Sequence, residues 1–207
     1  MKKDIDKPLV LITAFIFSII LFIIFSIDLF YPKKLDTENA LRFGNNNSSI
    51  KIVVFEDFKC KYCKDYINKI FPQIETYIND NKISYSIVPL AYIYGSQPIA
   101  SAAISVYELN KSKFFEFLRI ISDKKTFLDS KQDLMDVARN LDGINLNIYK
   151  DFIDKDVFKE YLKNNLLYAK KTMKGQIEVP SIYLNGKKVS MHKLKLLIDA
   201  KLKKDSN

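Results

Sequence analysis

Cysteine and histidine are almost absent from this sequence, and tryptophan is missing altogether: there are two cysteines, one histidine (His192) and no Trp. A structural metal site is built from four thiolate, imidazole or carboxylate ligands. The two cysteines and His192 would need a fourth, distant donor, and no second Cys/His cluster exists, so no metal ligand set is expected. A basic stripe interleaved with aromatics is lacking too. The formal charge is +9, from 33 Lys and Arg against 24 Asp and Glu, but the lysines are scattered and fit a compositional bias. Nucleic acid is therefore not expected as a partner. No internal repeat is visible.

What is present at the N-terminus is an uncharged apolar run, Leu9 to Ile27, interrupted only by Thr13, Ser18 and Ser26. Its length suits a bilayer-spanning helix and exceeds the core of most signal peptides. It is apolar on every face, which a helix packed on a soluble core is not. Small-x-small cleavage spacing does not follow; Asp28-Leu29-Phe30-Tyr31-Pro32 reads as an interfacial exit. An uncleaved single-pass anchor is expected. Lys2, Lys3 and Lys7 before the run nearly balance Lys33, Lys34 and Arg42 after it, and the α-amino group with the short tail tips the balance to N-inside.

Both cysteines lie in one motif, Phe58-Lys59-Cys60-Lys61-Tyr62-Cys63-Lys64, just after the apolar run Ile52-Val53-Val54-Phe55. A strand that ends in C-x-x-C, with a helix starting at the first cysteine, is the layout of a dithiol–disulfide redox site. One helical turn brings the two sulfurs within bonding distance. The unpaired N–H groups of the helix start favour a thiolate on Cys60, and Lys59, Lys61 and Lys64 should lower its pKa further.

The rest of the chain alternates between two periods. Lys33 to Ser49 reads as a tether. Ile50–Phe55 and Ile83–Val88 are strand candidates, and Cys60–Asn79 is a helix with a kink at Pro72. From Gly95 to Gly175 the pattern is helical, with segments near 98–109, 113–122, 131–141 and 156–174; Ser130 reads as an N-cap and Gly143 as a terminator. Ser181–Leu184 and Lys187–Val189 flank Asn185-Gly186 as a hairpin, and an amphipathic helix, Met191–Lys204, follows. The segments are a tail (1–8), an anchor (9–27), a tether (28–49) and an α/β domain (50–204) with a helical insertion over about 95–175.

At this point the chain resembles the thioredoxin-like superfamily, and within it the DsbA-type disulfide oxidoreductases. Phe55-Glu56-Asp57-Phe58-Lys59-Cys60-Lys61-Tyr62-Cys63 looks like the family's strand-to-active-site segment. Val179-Pro180-Ser181-Ile182-Tyr183-Leu184-Asn185-Gly186 looks like its cis-proline loop and hairpin, with the inserted helices between. The resemblance implies a thioredoxin-like fold and a cis Pro180 packed against the redox pair. Val179 would then offer its backbone to a client segment. Cys60, exposed at the helix start, would be the attacked and attacking sulfur, and Cys63 the resolving one. Lys61 stands where the family often has Pro, and Val54 stands at its usual buried acid. Glu56, on the same strand face, is a substitute for proton transfer, and Lys61 and Tyr62 are tuning positions.

The implied activity is insertion of disulfides into exported cysteine-containing proteins, without a cofactor, outside a bacterial inner membrane, with a membrane partner reoxidising the dithiol. A disulfide reductase or isomerase, for example in cytochrome maturation, and a thiol-based metal chaperone are the alternatives. Tyr92, Tyr94 and Phe114-Phe115 are candidates for the border of a client groove.

Overall fold

The computed structural model describes residues 6–30, 35, 37, 39–123, 128 and 130–205. The chain divides into two compact units, Met1–Lys34 and Leu35–Asn207. In the first, α1 (Asp6–Phe30) is a continuous helix of 25 residues, over which side chains are described for residues 11–23, all exposed. Among the described residues no helix is long and apolar enough to cross a membrane; the described side chains of α1 cover less than the ~20 residues a bilayer requires. The flanking lysines used for orientation (Lys2, Lys3, Lys33 and Lys34) lie outside the described residues.

The second unit is built on a five-stranded sheet: β1 (Leu41–Gly44), β2 (Lys51–Glu56), β3 (Ser84–Pro89), β4 (Ser181–Leu184) and β5 (Lys187–Val189), in the order β1-β3-β2-β4-β5. Central β2 runs parallel to β3, with Ile52 opposite Tyr85, and antiparallel to β4, with Phe55 opposite Ser181. Both faces of β2 are covered. Ile52 and Val54 join the larger core with Tyr66, Phe71 and Ile74, while Val53 and Phe55 pack with Val88, Leu90 and Ala169 on the other side. That is why the strand reads as an unbroken apolar run instead of an alternation. The β4–β5 turn has positive φ at both Asn185 (48°) and Gly186 (79°), as a type I′ turn requires.

Three expectations change. β1 lies inside the segment read as a tether and pairs antiparallel with β3, Leu41 opposite Ile87. Four residues are too few to display a period.

The helix expected over Cys60–Asn79 is α2 (Lys61–Asp65), a π turn (Tyr66–Ile70), a 3-10 turn (Phe71–Gln73) and α3 (Glu75–Asn79). Pro72 has no N–H to donate, and the chain changes register around it: the Phe71 N–H reaches back five residues to the Tyr66 carbonyl.

In the insertion, α4 (Gln97–Leu109), α5 (Phe114–Ser122) and α6 (Lys131–Arg139) fall close to expectation. The helix expected over 156–174 is α8 (Lys159–Thr172), and the change is α7 (Leu146–Asp154), where no separate segment was expected; the two part at Asp156, whose φ is +51°. Ser130 forms a full capping box with Asp133. Finally α9 (Leu194–Asp205) buries Leu194 and Ile198 in the larger core.

Candidate active site

The redox motif sits where β2 hands over to α2. Asp57 makes that turn: its carbonyl accepts the Cys60 N–H at 2.9 Å and its Oδ1 accepts the Lys59 N–H at 3.0 Å. Cys60 is the N-cap residue, with extended backbone (φ −69°, ψ 128°), so its side chain sits at the open end of the helix. Both thiols are free and buried. Cys60, expected to be exposed, is only 8% accessible. The loop before β4 covers it: the Val179–Pro180 bond is cis, and the Cys60 thiol donates to the Val179 carbonyl at 3.6 Å. The structure thus brings Cys60, Cys63 and the Val179–Pro180 loop together.

The two sulfurs have different acidities. Cys60 is lowered from 9.0 to about 6, chiefly because the Cys63 thiol donates to it; the backbone N–H groups of Cys63 and Tyr62 add to the effect, and burial and the Asp57 charge oppose it. Hydrogen bonds carry this depression, not the lysine charges expected to. Lys61 is exposed, and Lys59 directs its ammonium to the Tyr94 carbonyl at 3.0 Å. Burial pushes the Cys63 thiol far up, with the bond to Cys60 and the Glu56 charge adding. The side chain of Tyr62 points to solvent, and its backbone N–H is the part that serves the site.

Glu56 ends β2 with no accessible surface, and neither carboxylate oxygen has a hydrogen-bond partner. Burial, and then the Cys60 charge, raise it from 4.5 to about 8, so it is a neutral acid at pH 7. Beneath it the Tyr66 and Tyr85 hydroxyls share a buried hydrogen bond of 3.0 Å. Burial raises both phenols well above their ordinary range, and the Glu56 charge contributes to both.

Asp57 is a further residue of the site, one that the motif alone does not single out. Its buried carboxylate accepts, on Oδ2, the Tyr92 N–H at 2.9 Å, the Ile93 N–H at 2.8 Å and the Ser96 hydroxyl at 2.8 Å. An Asp directly after a strand and before a helix start is a turn-former with its own signal. Phe114 and Phe115, candidates for a groove border, instead pack in the core against Phe43 and Phe71. Tyr92 and Tyr94 are exposed. Among the described residues, no group of three or more His, Cys, Asp or Glu is placed to hold a metal ion.

A vicinal dithiol at a strand-to-helix junction, faced by a cis-prolyl loop on a β1-β3-β2-β4-β5 sheet, defines a thioredoxin-fold redox protein. The profile of the family described as Thioredoxin matches residues 36–200, and the chain belongs to that family. Among relatives, disulfide bond formation protein D of Bacillus subtilis (strain 168) is 27% identical over 153 residues, covering 70% of this chain and 67% of that protein. A relative from Rickettsia bellii (strain RML369-C) is 28% identical over 181 residues, 84% of this chain and 68% of that one. Of a Rickettsia felis relative, 28% identical, the chain spans about half the length (54%). Two solved structures share the fold at 24% identity: oxidised BdbD from Bacillus subtilis (TM-score 0.69, covering 83% of this chain and 97% of that one) and DsbA of Chlamydia trachomatis (0.70, 82% and 96%).

Proposed function

We propose that this protein is a thiol–disulfide oxidase that passes the Cys60–Cys63 disulfide to exported proteins carrying reduced cysteines. The observation that carries this is the Cys60 thiolate, held near a pKa of 6 by the Cys63 thiol and two backbone N–H groups. Only in the dithiol state does Cys63 have a proton to donate, and only there does the thiolate exist that these donors stabilise. They stabilise the reduced form and so make the disulfide oxidising.

In the reaction a client thiolate attacks the Cys60 sulfur, the Cys60–Cys63 bond breaks, and Cys63 leaves with the electron pair. Buried and with a strongly raised pKa, Cys63 needs a proton at once, and Glu56, neutral below about pH 8, is the acid at hand. A second client thiolate then attacks the client's sulfur in the mixed disulfide, and Cys60 leaves as the stabilised thiolate. The client is oxidised by two electrons and the protein now holds the dithiol. A membrane redox partner restores the disulfide. The backbone of Val179, beside Cys60, is the edge along which a client segment lies.

The anchor reading extends this. Leu9–Ile27 is uncharged, α1 is continuous through it, and its described large apolar side chains are exposed. It tethers the redox domain to the outer side of a bacterial inner membrane, through a connecting segment that ends before β1. Carbonate-resistant membrane association, lost when residues 1–34 are removed, tests that part.

The oxidase reading is tested by equilibrating the protein with glutathione buffers. An oxidase has a potential less negative than about −180 mV, whereas a value near about −270 mV makes the protein a reductant and overturns the proposal.

A further inference from the structure

Three large aromatic side chains near Cys60 stand in water: Tyr94 is 97% accessible, Tyr62 63% and Tyr92 50%. Tyr94 contributes almost nothing to the core, yet its loop is firmly held. The buried Asp57 carboxylate takes the N–H groups of Tyr92 and Ile93 together with the Ser96 hydroxyl. The Lys59 ammonium donates to the Tyr94 carbonyl, and Gly95 turns the chain at φ 73°. Asp57 and Lys59 belong to the strand-to-helix turn that carries Cys60, so two sets of hydrogen bonds fix this loop beside the redox helix. A backbone ordered that carefully, bearing aromatic side chains half or more in solvent, fits a surface shaped for a partner. Tyrosine suits that use, since it offers a large contact area at a low entropic cost.

The rim carries three lysines, and the acids around it are buried or paired with lysine. Lys59 and Lys61 are exposed and Lys64 is half-buried. Of the acids around the rim, Glu56 and Asp57 are buried, Asp65 is paired with Lys69 at 2.8 Å, and Glu178, exposed next to Val179, is paired with Lys188. Cys60 is nearly covered, with its sulfur against the Val179 carbonyl, so a rigid folded surface cannot bring a sulfur to it, whereas a flexible, extended segment can.

We propose that Tyr92, Tyr94 and Tyr62, with the ammonium groups of Lys59 and Lys61, form a docking rim for an unfolded client segment whose cysteine is flanked by acidic and aromatic residues. The rim selects which cysteines reach Cys60. This rests on the oxidase reading, in which Cys60 is the sulfur attacked.

The test uses the full-length oxidised protein in detergent and two reduced cysteine peptides of equal length, one with Glu and Trp beside the cysteine, the other with Lys and Ser. Second-order rates of reduction are measured for each peptide and for glutathione. The acidic aromatic peptide is expected to react about tenfold faster than the basic one, and the Tyr92→Ser/Tyr94→Ser variant to lose most of that ratio. Misfolding would lower both rates together and leave the ratio intact. Salt gives a second reading on the unaltered protein: raising it should slow the acidic peptide and speed the basic one. Equal rates for the two peptides, an unchanged ratio in a variant that keeps the parent's rate with glutathione, or rates indifferent to salt each overturn the rim. Absence of reaction with glutathione as well overturns the oxidase reading on which it rests.

Discussion

Replacing Glu56 with Gln should change how stability depends on pH, and the size of the change follows from the site. The carboxyl is fully buried without a hydrogen-bond partner, and folding raises its pKa from 4.5 to about 8, first through burial and then through the Cys60 charge. Below pH 4.5 the folded and unfolded chains both hold this proton, and Glu56 adds no pH dependence. Between 4.5 and 8 the unfolded chain has released it and the folded chain has not. Stability therefore falls as pH rises through that window and levels off above it. At about 1.4 kcal/mol per pH unit the fall comes to roughly 5 kcal/mol. Glu56→Gln cannot titrate and should escape it. Cys60 works in the opposite sense in the reduced protein. Its depressed pKa adds stability as pH rises from about 6 to 9. Subtracting the variant's curve from the parent's leaves the Glu56 contribution and its coupling to Cys60. Urea unfolding of both reduced proteins from pH 4 to 9 is the assay. Two curves that stay parallel across that range would refute the buried neutral acid, and with it the proton donor assigned to Cys63.

Thiolate absorbance should give a Cys60 midpoint near 6 in the reduced protein. Cys63→Ala removes the largest stabilising bond and should raise the midpoint by about one pH unit or more, whereas Lys61→Glu, at an exposed and screened position, should move it by less than about half a unit. In exchange assays Cys63→Ala should accumulate mixed disulfides through Cys60, detectable on non-reducing gels, and Cys60→Ala should form none. Ser130→Ala breaks the capping box of α6 and should cost about 1 kcal/mol in urea unfolding, with no change in the Cys60 midpoint.

The parts of this fold legible in the sequence are those governed by local signals. The buried run at β2, the Asn-Gly hairpin and the Ser130 cap each depend on a few adjacent residues, and C-x-x-C places both thiols on one helical turn. What stayed hidden depends on distant partners. Asp57 looks like any turn aspartate until the loop of Tyr92 to Ser96 folds onto its carboxylate. Glu56 reads as a substitute for proton transfer, but its complete burial without a hydrogen-bond partner depends on the residues packed around it. The separation of α7 from α8 hangs on Asp156 in a left-handed conformation, which aspartate tolerates but does not announce. The lysines around Cys60 suggest an effect of charge, yet hydrogen bonds from Tyr62 and Cys63, which depend on the fold of that turn, set its acidity.

The pairing of β2 with β4 joins Phe55 to Ser181, and the Val179 carbonyl reaches back 119 residues to Cys60. The insertion thus separates the two halves of the site in time as well as in sequence. A chain made from its N-terminus presents Cys60 and Cys63 long before the loop that shelters them exists. Local helices of the insertion form quickly, while this distant closure must come late. Until then the dithiol is open to any oxidant or passing disulfide, and the nascent enzyme is itself a client for the exchange that it later performs.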